Sequence, residues 1–232
     1  MRWTIRWTAA VAALTLAGPL RGQESQRVIA VLPFENTGSY GQDKEAFEAL
    51  EVGLPEILSA TLAAHPGASV VERPRLRQML AEQKLGSAHR IDAASATEVA
   101  KAAGARYAIT GSFADFYGKF RINARVVDAQ SGQILKVVSN DDPKLQDRAQ
   151  LAAIVQVVAD RIVGAMALGA YPSDVAARRR ALPNEALTDF ILGLMYEDRG
   201  DRAKAADAYQ RALTAAPDMA EARNGLQRVR GG

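Results

Sequence analysis

The hydrophobic pattern of the chain begins with a buried strand followed by an amphipathic helix. The run VIAVLPF, Val28 to Phe34, is apolar throughout, which is typical of a strand that is buried on both faces. Apolar residues then recur at three- and four-residue spacing from Phe47 to Leu62, the pattern of a helix. The turn sequence HPGA and the short segment SVVE, residues 69–72, follow. This order predicts a βαβ unit with a right-handed connection.

The period of the pattern changes from helical to alternating in the middle of the chain. Helical patterns occupy residues 73–86 and 92–104. Strict alternation follows in RYAITGSFADFY and KFRINARVVDA, and glycine at the first loop position predicts a type II′ turn at Gly118-Lys119 between these two strands. In the second strand, Arg121, Asn123 and Arg125 share one face, which we expect to be in water.

A third strand and a long helix complete this part of the chain. ILKVVS predicts the strand, and apolar spacing from Asp147 to Gly169 predicts one amphipathic helix. The pattern as a whole predicts an α/β domain over residues 27–169, in which helices cover a mixed sheet with a βαβ start and an antiparallel meander.

The N-terminal residues, 1–22, have the layout of a secretory signal peptide, with arginines before a short apolar stretch. Without Arg2, Arg6 and Arg21 the chain has 26 basic and 26 acidic residues, so the basic character belongs to the signal and nucleic-acid binding is not expected. The chain has no cysteine, which excludes disulfides and a lipid-modified N-terminal cysteine. We therefore expect an exported, periplasmic or envelope-associated protein without a transmembrane segment in the mature chain.

The α/β segment resembles two related families of the bacterial envelope. IAVLPFEN, GLPEILSATLAAHPGASVVER and the stretch from EVAKAAGARY to AQSGQIL are similar to TolB N-terminal-like domains. VVERPRLRQMLAEQ is more similar to the curli-secretion CsgG family. The resemblance implies a non-enzymatic role as a secretion pore, accessory factor or adaptor. The chain departs from the CsgG pattern because it has no cysteine and because its hairpin leaves no room for a membrane-spanning insertion.

The C-terminal segment, residues 186–219, has the length and spacing of one tetratricopeptide repeat, with residues 220–232 as a polar capping helix and tail. Small residues would let two antiparallel helices approach closely, and two tyrosines would fill the space between them. The positions that match the repeat pattern are Leu192, Gly193, Tyr196, Ala205, Tyr209, Ala212 and Pro217.

Residues 170–185 form the predicted linker between these two parts. Two prolines bracket a basic cluster at Arg178, Arg179 and Arg180. A run of this kind is usually a solvated helix face, and a phosphate or lipid patch is the alternative.

Sequence motifs for catalysis or cofactor binding are missing from the chain. It contains no phosphate-binding glycine loop, no dinucleotide fingerprint and no nucleophile elbow. The two histidines, His65 and His89, are far apart, and we expect both to be surface caps or loop residues. The prediction is a protein that is not an enzyme, with no catalytic residues, no cofactor and no metal site.

The function predicted from these features is that of an envelope adaptor or accessory factor that binds protein partners, with self-association left open. The candidate partner-binding residues are Leu187, Phe190, Leu194 and Glu197 on the first repeat helix. The apolar members either form an exposed patch or are core residues covered by the linker helix near Val175. A CsgG-like component of an outer-membrane export channel is the first alternative function, and a hydrolase of envelope polymers is the second.

Overall fold

The computed structural model describes residues 27–38, 43–85 and 91–231, in which five strands and eight α-helices form. The predicted signal peptide and His89 lie outside the described residues. The strands are β1 Arg27–Asn36, β2 Ala68–Val70, β3 Tyr107–Phe116, β4 Lys119–Asp128 and β5 Ile134–Ser139. The helices are α1 Lys44–Ala63, α2 Arg73–Glu82, α3 Ala93–Ala102, α4 Leu151–Ala165, α5 Ser173–Arg180, α6 Asn184–Asp198, α7 Arg202–Ala215 and α8 Ala220–Gly231.

The strands form one mixed sheet in the order β2-β1-β3-β4-β5. β1 pairs in parallel with β2 and β3, and β3, β4 and β5 form an antiparallel meander. Ile29, Ala30 and Leu32 of β1 have no exposed surface, because β1 lies between two strands and under helices on both sides. The predicted α/β fold with a parallel βαβ start and a meander is confirmed.

Helices cover the two faces of the sheet unequally. The larger core lies between the sheet and α1 and α4, and it continues into the C-terminal helices. A smaller core under α2 and α3 contains Leu76, Leu80 and Val99, together with Val127 near the end of β4. α3 contacts β4. Arg121 and Asn123 of β4 are nevertheless exposed, so none of the described helices covers that part of the second face.

The turn between β3 and β4 lies one residue earlier than predicted. Phe116 pairs with Lys119, so the loop is Tyr117-Gly118 and not Gly118-Lys119. Both loop residues have positive φ, 54° at Tyr117 and 80° at Gly118, which is the type I′ arrangement and not type II′. The side chain of Asp115 accepts a hydrogen bond from the Gly118 backbone at 2.8 Å and holds the turn.

Two element boundaries also differ from the prediction. β2 covers Ala68–Val70 where the sequence predicts a strand at residues 69–72. The helix expected from Asp147 to Gly169 begins as a 3₁₀ turn at Arg148–Gln150, where Asp147 caps the Ala149 backbone, and the α-helical part ends at Ala165. Amphipathic spacing continues beyond both ends of the helix, so it does not mark them.

The three C-terminal helices pack around one tyrosine. Tyr209 of α7 is fully buried between two glycines. A Cβ atom at Gly193 of α6 would lie 2.5 Å from the Tyr209 ring, and one at Gly225 of α8 would lie 2.6 Å from it. The ring therefore occupies space that any larger residue at either glycine would take, and it sets the spacing of α6, α7 and α8.

The linker helix α5 packs on α4, whereas α6 packs along α1. The linker arginines are all paired: Arg178 lies 2.9 Å from Asp174, and Arg180 lies 2.7 Å from Asp160. Arg179 donates to the Ala60 carbonyl of α1 at 2.7 Å and lies 2.7 Å from Glu221 of α8. These contacts attach the C-terminal helices to the α/β part.

Candidate binding groove at the junction of the two parts

A groove of about 550 Å³ lies where the C-terminal helices meet the α/β part. α1, β2 and α2 form one wall, and α6 and α8 form the other. A cavity of this size is in the range of small-ligand and peptide side-chain pockets. Its lining includes Val31, Glu56, Ser59, Val70, Arg73, Leu76, Arg77, Phe190, Leu194, Glu197, Glu221, Asn224 and Arg228.

The floor of the groove is apolar. Val31 comes from the central strand β1, Leu76 from α2, and Phe190 and Leu194 from α6. All four are at most 7% exposed, because they also form the contact between the two parts. A ligand on this floor would meet the edges of core side chains, so the site is rigid and largely preformed.

A second cavity of about 310 Å³ continues the groove along α1 and α2. It shares Val31, Glu56, Arg73, Leu76 and Arg77 with the first cavity and extends past Phe34 and Leu80 to Leu85. The two cavities form one elongated trough, a shape that suits an extended segment better than a compact ligand.

Ion pairs between α1, α2 and α6 cross the middle of the trough. Arg73 lies 3.3 Å from Glu56 and 2.6 Å from Asp198, and Arg77 lies 2.5 Å from Asp198. Arg73 is only 17% exposed, so this network is poorly screened by water. Burial raises the pKa of the Glu56 carboxyl, and the Arg73 guanidinium opposes that rise only in part.

A second charged cluster joins α6, α7 and α8 at the rim. Glu197 accepts hydrogen bonds from the Tyr209 hydroxyl at 2.5 Å and from Arg228 at 2.9 and 3.0 Å. Burial alone would raise the pKa of Glu197, but the hydrogen bonds from Arg228 and Tyr209 hold it below its usual value. Burial and the Glu197 carboxylate raise the pKa of the Tyr209 phenol. Glu197 is thus an ionised anchor for all three helices.

The candidate partner-binding residues divide between the groove and the core. Phe190, Leu194 and Glu197 line the groove, whereas Leu187 does not. Leu187, Phe190 and Leu194 are 1–3% exposed, so the structure shows the core arrangement and not an open apolar patch. Their cover is α1 and not the linker helix near Val175, as the packing of α6 along α1 shows. Whether this helix binds a partner stays a prediction.

The predicted repeat-packing residues occupy the helix hairpin, with one difference. Ala205, Tyr209 and Ala212 are fully buried, and Leu192 is half-buried. Pro217 is exposed just after α7. Tyr196 does not only fill space between α6 and α7: its hydroxyl donates to Glu45 of α1 at 2.7 Å and so joins α6 to the α/β part. The hydrogen-bond partner lies in α1, outside the repeat, so the spacing of residues within the repeat does not predict this bond.

The charged residues of the trough were not predicted from the sequence. Glu56, Arg73, Asp198 and Arg228 are ordinary surface-type residues in the sequence, and the separation of Arg73 from Asp198 is 125 positions. One local signal exists: Arg73 and Arg77 are four residues apart, which places both on one side of α2.

His65 is buried, in contrast to the expected surface position. It is 4% exposed, its Nδ1 accepts from the Gly67 backbone at 3.0 Å, and its Nε2 donates to the Gly169 carbonyl at 2.8 Å. It holds the end of α1 to the segment after α4. Over residues 27–38, 43–85 and 91–231, no group of three or more His, Asp or Glu side chains could hold a metal ion. In the same residues, no helix is both long and apolar enough to cross a bilayer.

Comparison with known proteins relates the α/β part to the curli-secretion family. A family model described as curli production assembly/transport component CsgG matches the chain. Residues 12–121 match the CsgG family. The predicted resemblance is therefore confirmed for this CsgG-like part, and the tetratricopeptide assignment of residues 186–219 stays a prediction. A comparison with curated proteins found no match.

Solved structures with similarity to this chain include LpoB and TolB. The C-terminal domain of LpoB from Salmonella enterica is 18% identical over 52% of this chain and 84% of its own, with a TM-score of 0.39. LpoB from E. coli is 18% identical over 50% of this chain and 55% of its own, with a TM-score of 0.41. TolB from Acinetobacter baumannii is 19% identical over 61% of this chain and 28% of its own, with a TM-score of 0.40.

Proposed function

We propose that this protein is a non-enzymatic adaptor of the cell envelope that binds a segment of a partner protein in the junction trough. The observation that carries the proposal is the trough itself, which combines an apolar floor with paired charges along its walls. Apolar contacts in such a site provide affinity, and a few fixed polar groups provide orientation. The match of residues 12–121 to a curli production assembly/transport family supports the envelope setting.

The charges of the trough favour a segment with basic and apolar residues. The two walls contribute six carboxylates and three cations. The carboxylates are Glu51, Glu56, Glu72, Glu197, Asp198 and Glu221, and the cations are Arg73, Arg77 and Arg228. Each cation already pairs with a carboxylate of the protein, and Glu221 pairs with Arg179 from outside the lining. The surplus is therefore acidic, and a partner that brings Lys or Arg next to apolar side chains would complement it.

Site-specific photo-cross-linking in living cells tests the proposal. A benzophenone amino acid replaces Asn224, which is exposed and lines the trough, and replaces Asp207 of α7 as a control that does not line it. We expect discrete protein adducts from position 224 that are missing from position 207, and Ser59→Trp, which narrows the trough, should reduce them. Equal adducts from both positions, or no adduct at position 224, would refute a protein-binding trough.

An export-channel component is the second candidate function, and the family match is the observation that favours it. The purified mature protein would then produce discrete single-channel conductance steps in a planar bilayer. We expect no such steps from the adaptor, because the turn Tyr117-Gly118 joins β3 and β4 directly. Reproducible conductance would replace the adaptor proposal with the channel.

A further inference from the structure

Exposed large apolar side chains are concentrated in the meander of β3, β4 and β5. Phe116 and Tyr117 at the hairpin tip are 46% and 93% exposed. Ile134, Leu135 and Val137 of β5 are 46%, 42% and 58% exposed. These five are all the large hydrophobic residues that are exposed in the described part of the chain. Single exposed apolar residues are ordinary, but a concentration of them in one region marks an interaction surface.

The same region holds cations that form no close ion pair among the described residues. Lys119, Arg121 and Arg125 of β4 and Lys136 of β5 lack a carboxylate within 4.0 Å in residues 27–38, 43–85 and 91–231.

The neighbouring carboxylates already have partners. Asp128 pairs with Arg106 at 2.7 Å, and Asp141 pairs with Arg161 at 2.5 Å. Asp115 accepts the turn hydrogen bond from Gly118. The hydrogen bond from Arg161 and, more weakly, the charge of Arg121 lower the pKa of Asp141, but no described carboxylate lies within 4.0 Å of Arg121. The positive charge of the region is therefore only partly compensated, in contrast to the paired charges of the junction trough.

Strand register places Phe116, Val137 and three of the cations on one face, whereas Lys136 pairs with Val126 and lies on the other face. Phe116 lies opposite Lys119, and Val137 lies opposite Arg125. Alternate residues of β4 point to the other face, where Phe120 and Ile122 are buried in the main core. We define the basic strip as Phe116, Tyr117, Lys119, Arg121, Arg125 and Val137. It runs roughly 20 Å along the strands from the hairpin tip, on the face that α2 and α3 leave open.

The tip of the basic strip has an aromatic residue, Tyr117, at a turn position whose positive φ disfavours aromatic residues. Tyr117 takes the first place of a type I′ turn with φ 54°, and Asn, Asp or Gly are the residues that suit this place. A side chain with a Cβ is strained in this conformation. Strain at an exposed aromatic residue is consistent with selection for contact and not for stability.

We propose that the basic strip binds an acidic, amphipathic segment of a second protein. Carboxylates of that segment would pair with Arg121 and Arg125, and its apolar side chains would pack on Phe116, Tyr117 and Val137. Tyr and Arg are the residue types that contribute most at protein interfaces. This surface is separate from the junction trough, so an adaptor would have two binding sites of opposite charge preference.

Two other occupants fit the strip less well. A second copy of the chain would bring Lys119, Arg121 and Arg125 of both strips together, and like charges in contact repel. A bilayer that met the hairpin tip end-on would contact Tyr117 but would leave Arg125 and Val137, far along the strands, without a contact. The length of the strip and its mixed chemistry favour a polypeptide.

Binding of defined probes to the full mature chain tests the proposal. The first probe is a fluorescein-labelled synthetic helix with leucine along one face and glutamate along the other; the second has lysine in place of glutamate. Vesicles of phosphatidylglycerol and phosphatidylethanolamine are the third probe. Fluorescence anisotropy should show the acidic peptide binding at least tenfold more tightly than the lysine peptide, with strong dependence on salt.

Two variants separate binding from folding. Tyr117→Asn creates Asn-Gly, the preferred type I′ pair, so the melting temperature should stay the same or rise while affinity for the acidic peptide falls at least threefold. Arg121→Glu/Arg125→Glu should remove the preference for the acidic peptide. Arg178→Glu/Arg202→Glu, an equal charge change on α5 and α7, is the matched control and should leave affinity within twofold.

Three results would overturn the proposal. Equal binding of the acidic peptide and the lysine peptide would refute charge recognition. Equal loss of binding in the control variant and the strip variant would show that net charge alone causes the effect. Loss of vesicle binding in Tyr117→Asn with unchanged peptide binding would assign the strip to anionic lipid instead.

Discussion

Gly53 of α1 and Ile191 of α6 meet at a point where no side chain fits between the two helices. A Cβ atom at position 53 would overlap the Cβ and Cγ2 atoms of Ile191 and approach its backbone to 3.1 Å. This contact brings the C-terminal helices close enough to the α/β part for Arg73 to reach Asp198 across the trough. A glycine in the middle of a helix is unfavourable for that helix alone, so its value lies in the helix–helix contact.

Replacement of this glycine tests how the two parts are joined. Alanine would favour the helical state of an isolated α1 by about 1 kcal/mol, but here it must push α6 away, and overpacking typically costs about 1–3 kcal/mol. We expect Gly53→Ala to lower the free energy of unfolding and to increase proteolysis near the linker helix, measured by urea titration and limited trypsin digestion.

The matched control for Gly53→Ala is Gly164→Ala in α4. No atom lies within 4 Å of a Cβ added at position 164, so only the helix preference of alanine should act there. Gly164→Ala should leave stability unchanged or raise it by up to about 1 kcal/mol. Equal stability of the two variants would refute the close contact between Gly53 and Ile191.

Phe190 provides a second test of the junction, because the sequence left open whether its ring is core or contact surface. The ring is 3% exposed and lies 6.1 Å from the Tyr209 ring, centroid to centroid. Phe190→Ala should therefore cost about 3–5 kcal/mol of stability, seen as a large drop in melting temperature. Asp207→Ala, at an exposed position of α7, controls for truncation in the same helical part.

Sedimentation of the same variants separates the two roles of Phe190. The buried ring predicts unchanged association in the fraction that remains folded. A small change in melting temperature together with weaker association would instead support the exposed recognition patch.

The strands of the meander could be predicted from the sequence because their periodicity is local. Alternation along β4 places Arg121 and Asn123 in water and Ile122 and Ala124 in the core, as the pattern indicates. The turn was harder to predict. Glycine at the first loop position indicates a type II′ turn. In this hairpin, however, Tyr117 is the first loop residue with positive φ and Gly118 is the second. Turn preferences favour Asn, Asp or Gly at the first loop position, so they do not predict Tyr117 there.

The junction trough could not be predicted from the sequence, for a different reason. Its charged network forms only if α6 has a defined position along the axis of α1. That position depends on packing between residues that are far apart in the chain, such as Gly53 and Ile191. Periodicity shows that α6 has an apolar face, but it does not show which helix covers that face. The expected cover was the linker helix, and the actual cover is α1.

Export makes a spectroscopic prediction that depends on the sequence alone. Trp3 and Trp7 are the only tryptophans of the chain, and both lie in the predicted signal peptide. The mature protein from a periplasmic fraction should therefore emit tyrosine-like fluorescence, whereas the uncleaved precursor should show tryptophan emission. Strong tryptophan emission from the exported form would contradict cleavage.

The pH dependence of stability provides a test of the electrostatics of the trough. Burial raises the pKa of Glu56 above the value in the unfolded chain, which is about 4.3. Between these two values the folded state binds more protons than the unfolded state, so this residue makes stability fall as the pH rises. Glu56→Gln removes that titration. Relative to wild type, the variant should gain stability between pH 4 and pH 7, measured by chemical denaturation at each pH.

Glu197 is the matched control because its pKa moves in the opposite direction. The hydrogen bonds from Arg228 and Tyr209 lower its pKa, so its ionised form stabilises the fold above the unfolded value, and that stabilisation is lost as the pH falls through the folded value. Relative to wild type, Glu197→Gln should lose stability as the pH rises from acidic values to about 4.3, and the deficit should then stay constant up to pH 7, in contrast to Glu56→Gln. If both variants lost stability as the pH rose, the pair between Glu56 and Arg73 would outweigh the burial of Glu56. In that case Arg73 would lower the pKa of Glu56 more than burial raises it, and their ion pair would stabilise the trough.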